Sequence, residues 1–276
     1  MRRRDQSNLV LFGLALGIGG AAKALYSNAS AEELGFLLLP TAWGVELASG
    51  QPFLFERGAG YVNQQLGIAI APACSGMNFL IIAFATLVFG FLPRCEPLRQ
   101  KLAWFGASAL LAFAATVLVN TLRISLSLGE RALVAEGWLS AAQVHRATGV
   151  GVYLGGLLAL YAAVDRLFRR SPGGAKGYLV PLFFYVGLTL AIPLCRGAAA
   201  RPEFATHAVV VLVAVAVAVL SILLLGQGAE KYACRSTSRA PERKLTIDGR
   251  FRRKRHTRRG GGLGAARGTE PARAGG

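Results

Sequence analysis

Apolar stretches of near-constant length recur along this chain, and short polar pieces separate them. They cover about 9–27, 77–93, 102–127, 146–165, 178–195 and 205–226. Each is close to the ~20 residues that a helix needs to cross a bilayer. A soluble core would need polar faces between its apolar ones, whereas here charge is missing from whole windows. The pattern predicts an all-α fold: a polytopic transmembrane helical bundle of about six spans. The first stretch contains Lys23 and several glycines and follows the basic start Met1-Arg2-Arg3-Arg4. Ser27-Asn28-Ala29-Ser30 is a poor cleavage site, so this stretch reads as an uncleaved first helix. The glycines of 13–20 read as close-packing positions within it. Residues 28–70 form a mixed polar and apolar outer segment with no span of their own.

Composition agrees with a membrane protein, at 53% hydrophobic and 16% charged residues in a chain of 276. Basic residues set the orientation, because loops rich in lysine and arginine stay on the cytoplasmic side. With the N-terminus inside, the pieces 1–8, 94–101, 166–177 and 227–276 hold 24 of the 31 lysines and arginines. The expected location is the inner (cytoplasmic) cell membrane, multi-pass, with both termini cytoplasmic. The organisation reads as four segments. Residues 1–60 are a first helix and outer segment, 61–168 a catalytic transmembrane core, 169–228 two further helices, and 229–276 a basic tail.

The net charge of +17 comes mostly from that tail, where Arg250-Phe251-Arg252-Arg253-Lys254-Arg255 is followed by a Gly/Ala/Arg-rich end. Such a composition cannot bury a core and is expected to be disordered. It suits contact with anionic lipid, worth about 1 kcal/mol per basic residue near the surface. The lipid bilayer is thus an expected partner, and nucleic acid is not. The sequence has no CxxC, no HExxH and no His-rich cluster, so neither a metal nor another cofactor is expected. Cys74 and Cys195 fall on the outer side, Cys95 and Cys234 on the reducing cytoplasmic side.

Three residues carry chemistry. Cys74 lies in Ala71-Pro72-Ala73-Cys74-Ser75-Gly76, just ahead of the second apolar stretch. Pro72 disfavours helix at Ala71 and can open one after it, so the thiol is expected at a helix start, near unpaired amide donors. Arg123 interrupts a later stretch within Asn120-Thr121-Leu122-Arg123-Ile124. An arginine inside a span pairs with something or faces a wet cavity, and its jobs are orienting a carbonyl or stabilising an oxyanion. Asn120, one turn earlier, is a second polar lining residue, and Ser75 permits close approach beside the thiol. Both are candidate substrate-binding residues. His145 opens the next stretch in His145-Arg146-Ala147-Thr148-Gly149, and its ordinary pKa suits proton transfer. Topology brings all three residues to one membrane face, where nucleophile, fixed cation and proton carrier make an acyl-transfer site.

These three blocks, in this order and spacing, resemble the signature blocks of the exosortase/archaeosortase family, with exosortase K as the suggested subtype. The resemblance covers about residues 60–168. It implies a membrane-embedded cysteine protease or transpeptidase acting on exported envelope proteins that carry a C-terminal sorting signal. It also implies Cys74 as nucleophile, His145 as proton carrier and Arg123 as the charge-stabilising residue, on the extracytoplasmic side. Family members often have more spans ahead of the cysteine than the one found here. The stretches after 177 and the tail match no family block.

Two other functions fit the same residues. One is a membrane acyltransferase carrying an acyl group on Cys74. The other is a small transporter lined by Arg123, although transport would call for intramembrane carboxylates or inverted repeats. No acid lies in the central part of any span.

Overall fold

A computed structural model of the chain describes residues 3–134, 140–168, 175–195 and 197–238. The chain divides into two units, Met1–Ala233 and Cys234–Gly276. The first holds nearly all the described structure and is mostly helical. Its helices are α1 (Arg3–Tyr26), α2 (Gly35–Ser49), α3 (Met77–Phe91), α4 (Leu98–Val134), α5 (Ala141–Phe168), α6 (Leu179–Val186), α7 (Ile192–Cys195) and α8 (Pro202–Ser238). Of the second unit, only the last residues of α8 are described.

Among the described residues, five helical segments are long and apolar enough to cross a membrane: Asp5–Tyr26, Pro72–Arg94, Leu98–Gly129, Gln143–Phe168 and Glu203–Leu224. The stretch expected as a span over 178–195 is shorter, an apolar helix over Leu179–Cys195. A π turn over Gly187–Ala191 joins α6 to α7 within it.

The outside of the bundle is apolar. On α8, Val209, Val213, Val217, Leu220 and Leu224 are exposed. A soluble monomer rarely leaves so continuous an apolar surface bare, whereas lipid tails solvate it without penalty. The interior belongs to α3, where Phe79 and every residue from Ile81 to Val88 are buried. It packs against α4, α1, α6 and α5.

Segment 28–70 is not featureless. Leu37, Leu38, Thr41, Ala42 and Val45 bury one side of α2, and the helix lies along α4. Gly44 makes this approach possible: a Cβ there would lie 2.8 Å from Thr121 Cγ2, closer than real side chains tolerate. An antiparallel meander follows, with β1 (Leu54–Glu56), β2 (Gly60–Asn63) and β3 (Ile68–Ile70) in the order β1-β2-β3. Phe55 pairs with Tyr61, and Tyr61 with Ile70. The all-α expectation therefore needs this small sheet added. β-branched and aromatic residues drive it, and one face settles on the core through buried Asn63 and Ile70.

Two further expectations change. Among the glycines of 13–20, only Gly19 approaches a neighbour closely, with a would-be Cβ 3.2 Å from Ile81 Cγ2. Most of that helix faces outward, so its other glycines meet nothing. The expected disordered tail 229–276 begins with helix, since α8 continues to Ser238. Ala229-Glu230-Lys231-Tyr232-Ala233 is rich in helix formers. Residues 239–276 lie outside the described residues.

One end of the bundle is tied by polar bonds. Arg94 pairs with Asp165 at 2.8 Å, linking the chain just past α3 to α5. Lys101 Nζ donates to Ser7 Oγ at 2.8 Å, linking α4 to α1. Trp104 Nε1 donates to the Leu87 carbonyl at 3.2 Å, and the Phe91 and Tyr161 rings pack 4.9 Å apart.

Candidate active site

The opposite end gathers the C-terminal end of α1, the segment before α3, the later half of α4 and the start of α5. Pro72–Cys74 forms a single 3-10 turn, entered from Ala71 in an extended conformation, as the proline requires. The Cys74 amide donates to the Ala71 carbonyl at 2.7 Å. Ser75 is fully buried, and its Oγ accepts the Met77 amide at 3.4 Å. Gly76 then adopts φ 74°, a left-handed conformation that costs other residues roughly 1–2 kcal/mol. This reset separates the turn from α3, so the thiol sits three residues before the helix rather than in its first turn. The donor it meets is a side chain instead.

That donor is Arg123. Its Nη2 lies 3.8 Å from Cys74 Sγ, and its Nη1 donates to the Tyr153 hydroxyl at 3.0 Å. Tyr153 in turn donates to Asn120 Oδ1 at 2.9 Å. Asn120 closes the ring by donating from Nδ2 to the Cys74 carbonyl. Asn120 is fully buried. The guanidinium also lies 5.3 Å from the centre of the Tyr153 ring, within cation–π range. Arg123 Nε is buried and has no hydrogen-bond partner among the described residues.

His145 joins the group through Ser127. Ser127 Oγ donates to the Arg123 carbonyl at 3.0 Å and lies 3.4 Å from His145 Nδ1. Which of the two donates in the second contact follows the imidazole tautomer. Asn120, Arg123 and Ser127 share one face of α4 by their three- and four-residue spacing. His145, Gly149 and Tyr153 form a stripe on α5 at four-residue intervals.

The structure thus brings Cys74, Arg123 and Asn120 into direct contact, and links His145 to them by way of Ser127. Ser75 supports the turn. Tyr153 and Ser127 were not singled out by sequence reading. A tyrosine eight residues after His145, inside an apolar stretch, was the signal available for the first. Arg123, His145 and Tyr153 also line a cavity of about 590 Å³. Cys74 is half-buried and lies off that wall, with Arg123 touching both. Among the described residues, no group of three or more His, Cys, Asp or Glu is placed to hold a metal ion. No protein-family model, no curated protein and no solved structure matches this chain.

Proposed function

We propose that this protein is a membrane-embedded cysteine peptidase or transpeptidase that processes the C-terminal sorting signals of exported proteins, as its resemblance to the exosortases implies. The observation carrying the reading is the two-pronged contact of Arg123 with Cys74 Sγ and Tyr153. A fixed cation on a cysteine at one end of a helical bundle has little structural purpose, because a neutral partner would cost less desolvation.

In this reading Cys74 gives its thiol proton to His145, and the sulfur attacks the scissile carbonyl carbon. The carbonyl electron pair moves to oxygen, where Arg123 holds the developing charge. On collapse the C–N bond breaks, and His145 returns the proton to the leaving amine. The product is a thioester between Cys74 and the exported protein. An amine acceptor, giving transfer, or water, giving hydrolysis, then attacks it, and Cys74 leaves as the thiol after receiving the attacker's proton through His145. The basic-residue bias supports placing this site on the extracytoplasmic side of the cell membrane.

The test is to co-express the chain with an exported protein ending in a short motif, an apolar helix and a basic end. The expected result is a truncated product and a covalent adduct on Cys74 that hydroxylamine releases. Full processing by Cys74→Ala would overturn the reading.

A further inference from the structure

The small sheet leads straight into the turn that carries the thiol. After β3 (Ile68–Ile70), Ala71 continues extended at φ −85° and ψ 170°, and the turn Pro72–Cys74 follows. The sheet order is β1-β2-β3, so β3 is an edge strand, paired with β2 on one side. Among the described residues, no strand pairs its other side and no helix packs along it. Such an edge turns unpaired N–H and C=O groups outward and is a template for another extended chain. We propose that β3 takes the extended segment of the substrate that precedes the scissile bond, as an added strand parallel to it.

The inference rests on the peptidase reading and adds how the substrate is held. A helical carbonyl is engaged in the helix's own hydrogen-bond ladder, so the thiol needs its target bond in an extended stretch. Extended stretches bind by adding to a sheet edge, where main-chain bonds give affinity and alternate side chains give selection. Residues two apart along a strand share a face, so Ala69 and Ala71 lie on one face of this edge and Ile68 and Ile70 on the other. Ile70 is fully buried in the core, whereas Ala69 is exposed. The outward face therefore carries only methyl groups, which leave room for the side chains of an added strand.

Direction follows from topology. β3 runs toward Cys74 and, past Gly76, the chain enters α3. A substrate that is exported ahead of its cut site and apolar after it travels the same way, from the outer side into the bilayer. The two chains then run parallel, and the sheet becomes a mixed one. β1 is the other edge, with Leu54, Phe55 and Glu56 all exposed. It lies two strand spacings from β3, about 10 Å, and it ends in the turn 57–59 rather than at the thiol.

The experiment co-expresses the full chain with an exported reporter ending in a short motif, an apolar helix and a basic end. Mass spectrometry of the truncated product from the wild type locates the cut. Absence of any product would overturn the peptidase reading and this inference with it, whereas processing leaves the edge to be tested by itself. In a Cys74→Ser background, Ala69→Cys and Ala71→Cys are each combined with single cysteines along the reporter ahead of the cut, and disulfides are formed with copper phenanthroline. Paired strands lie about 4.8 Å apart, so facing positions come near disulfide reach. Cross-linking is expected at every second reporter position, severalfold above Cys74→Ser alone, with Ala71→Cys trapping positions nearer the cut than Ala69→Cys does. Phe55→Cys on β1 should trap none. Cross-links no stronger than background, no alternation, or the reverse order would overturn the proposal. A proline scan of the reporter against the wild type reads the same ladder with the enzyme unaltered. Processing should fall roughly tenfold at alternate positions, where an N–H donated to β3 is lost. A uniform response along the segment would refute strand addition even if the cysteine variants fail to fold.

Discussion

Asn120 holds Cys74 by its backbone rather than its thiol: Asn120 Nδ2 donates to the Cys74 carbonyl. The same amide accepts from Tyr153 at 2.9 Å, so one buried side chain registers the turn before α3 against both α4 and α5. Asn120→Asp keeps the acceptor and loses the donor, facing the carbonyl with an oxygen. Leaving such buried groups unsatisfied costs about 1–3 kcal/mol. Processing is expected to fall tenfold or more in Asn120→Asp, with a lower thermal midpoint in detergent. Wild-type turnover by this variant would remove Asn120 from the site.

Cys74→Ala and Cys74→Ser should abolish processing with protein abundance nearly unchanged, because the half-buried thiol contributes little packing. Immunoblots of enzyme and substrate from the same cells check both parts.

Cys95 should behave as the opposite kind of thiol. It is buried, its Sγ donates to the Phe91 carbonyl at 3.7 Å, and burial pushes its pKa up while nearby Lys101 partly offsets this. The thiolate is the reactive form, so a raised pKa means slower alkylation at a given pH. Maleimide labelling of Cys95 should need more alkaline conditions than an unstructured cysteine peptide. Cys95→Ala should process substrate normally.

Arg123→Lys keeps the charge but cannot span Cys74 and Tyr153 together. Loss of roughly 10²-fold or more in rate is expected if the fork matters. Tyr153→Phe removes one anchor of the fork and leaves the charge, so its loss should be smaller, about tenfold. Initial rates across the three proteins order these effects, and Tyr153→Phe falling below Arg123→Lys would refute the assignment.

His145→Ala should cost roughly 10²–10⁴-fold by removing the proton carrier. Ser127→Ala removes only the partner of Nδ1, and its rate should lie between that of His145→Ala and wild type. Equal rates for wild type and His145→Ala would exclude His145 from catalysis.

Gly76→Ala tests the turn itself. The new methyl group would meet Thr116 Cγ2 at 3.0 Å and Asn120 Cγ at 3.3 Å, in a backbone conformation that L residues disfavour. Loss of both activity and thermal stability is expected, whereas Gly149→Ala, with nothing within 4 Å, should stay folded.

The long apolar runs made five membrane-length helices legible, because each excludes charge over whole windows. α2 was not legible: at 15 residues, with Pro40 inside, it is too short to register as a span. The meander hid in the same mixed segment, since strands of three or four residues leave almost no periodicity. In the site, Cys74, Arg123 and Asn120 stood out as polar residues at the edges of apolar runs. Tyr153 did not, because a lone tyrosine in an apolar helix resembles ordinary packing until Arg123 and Asn120 are seen to converge on its hydroxyl.

The Arg94–Asp165 and Lys101–Ser7 bonds lie at the end of the bundle away from Cys74. They work like the binding of a book. Pages held at the spine part at the opposite edge, where the ties here are the bonds from Lys23 to Asn78 and from Arg123 to Tyr153. If the proposed peptidase function holds, admitting a substrate would exchange those ties around Arg123 for contacts with the substrate and leave the far contacts closed.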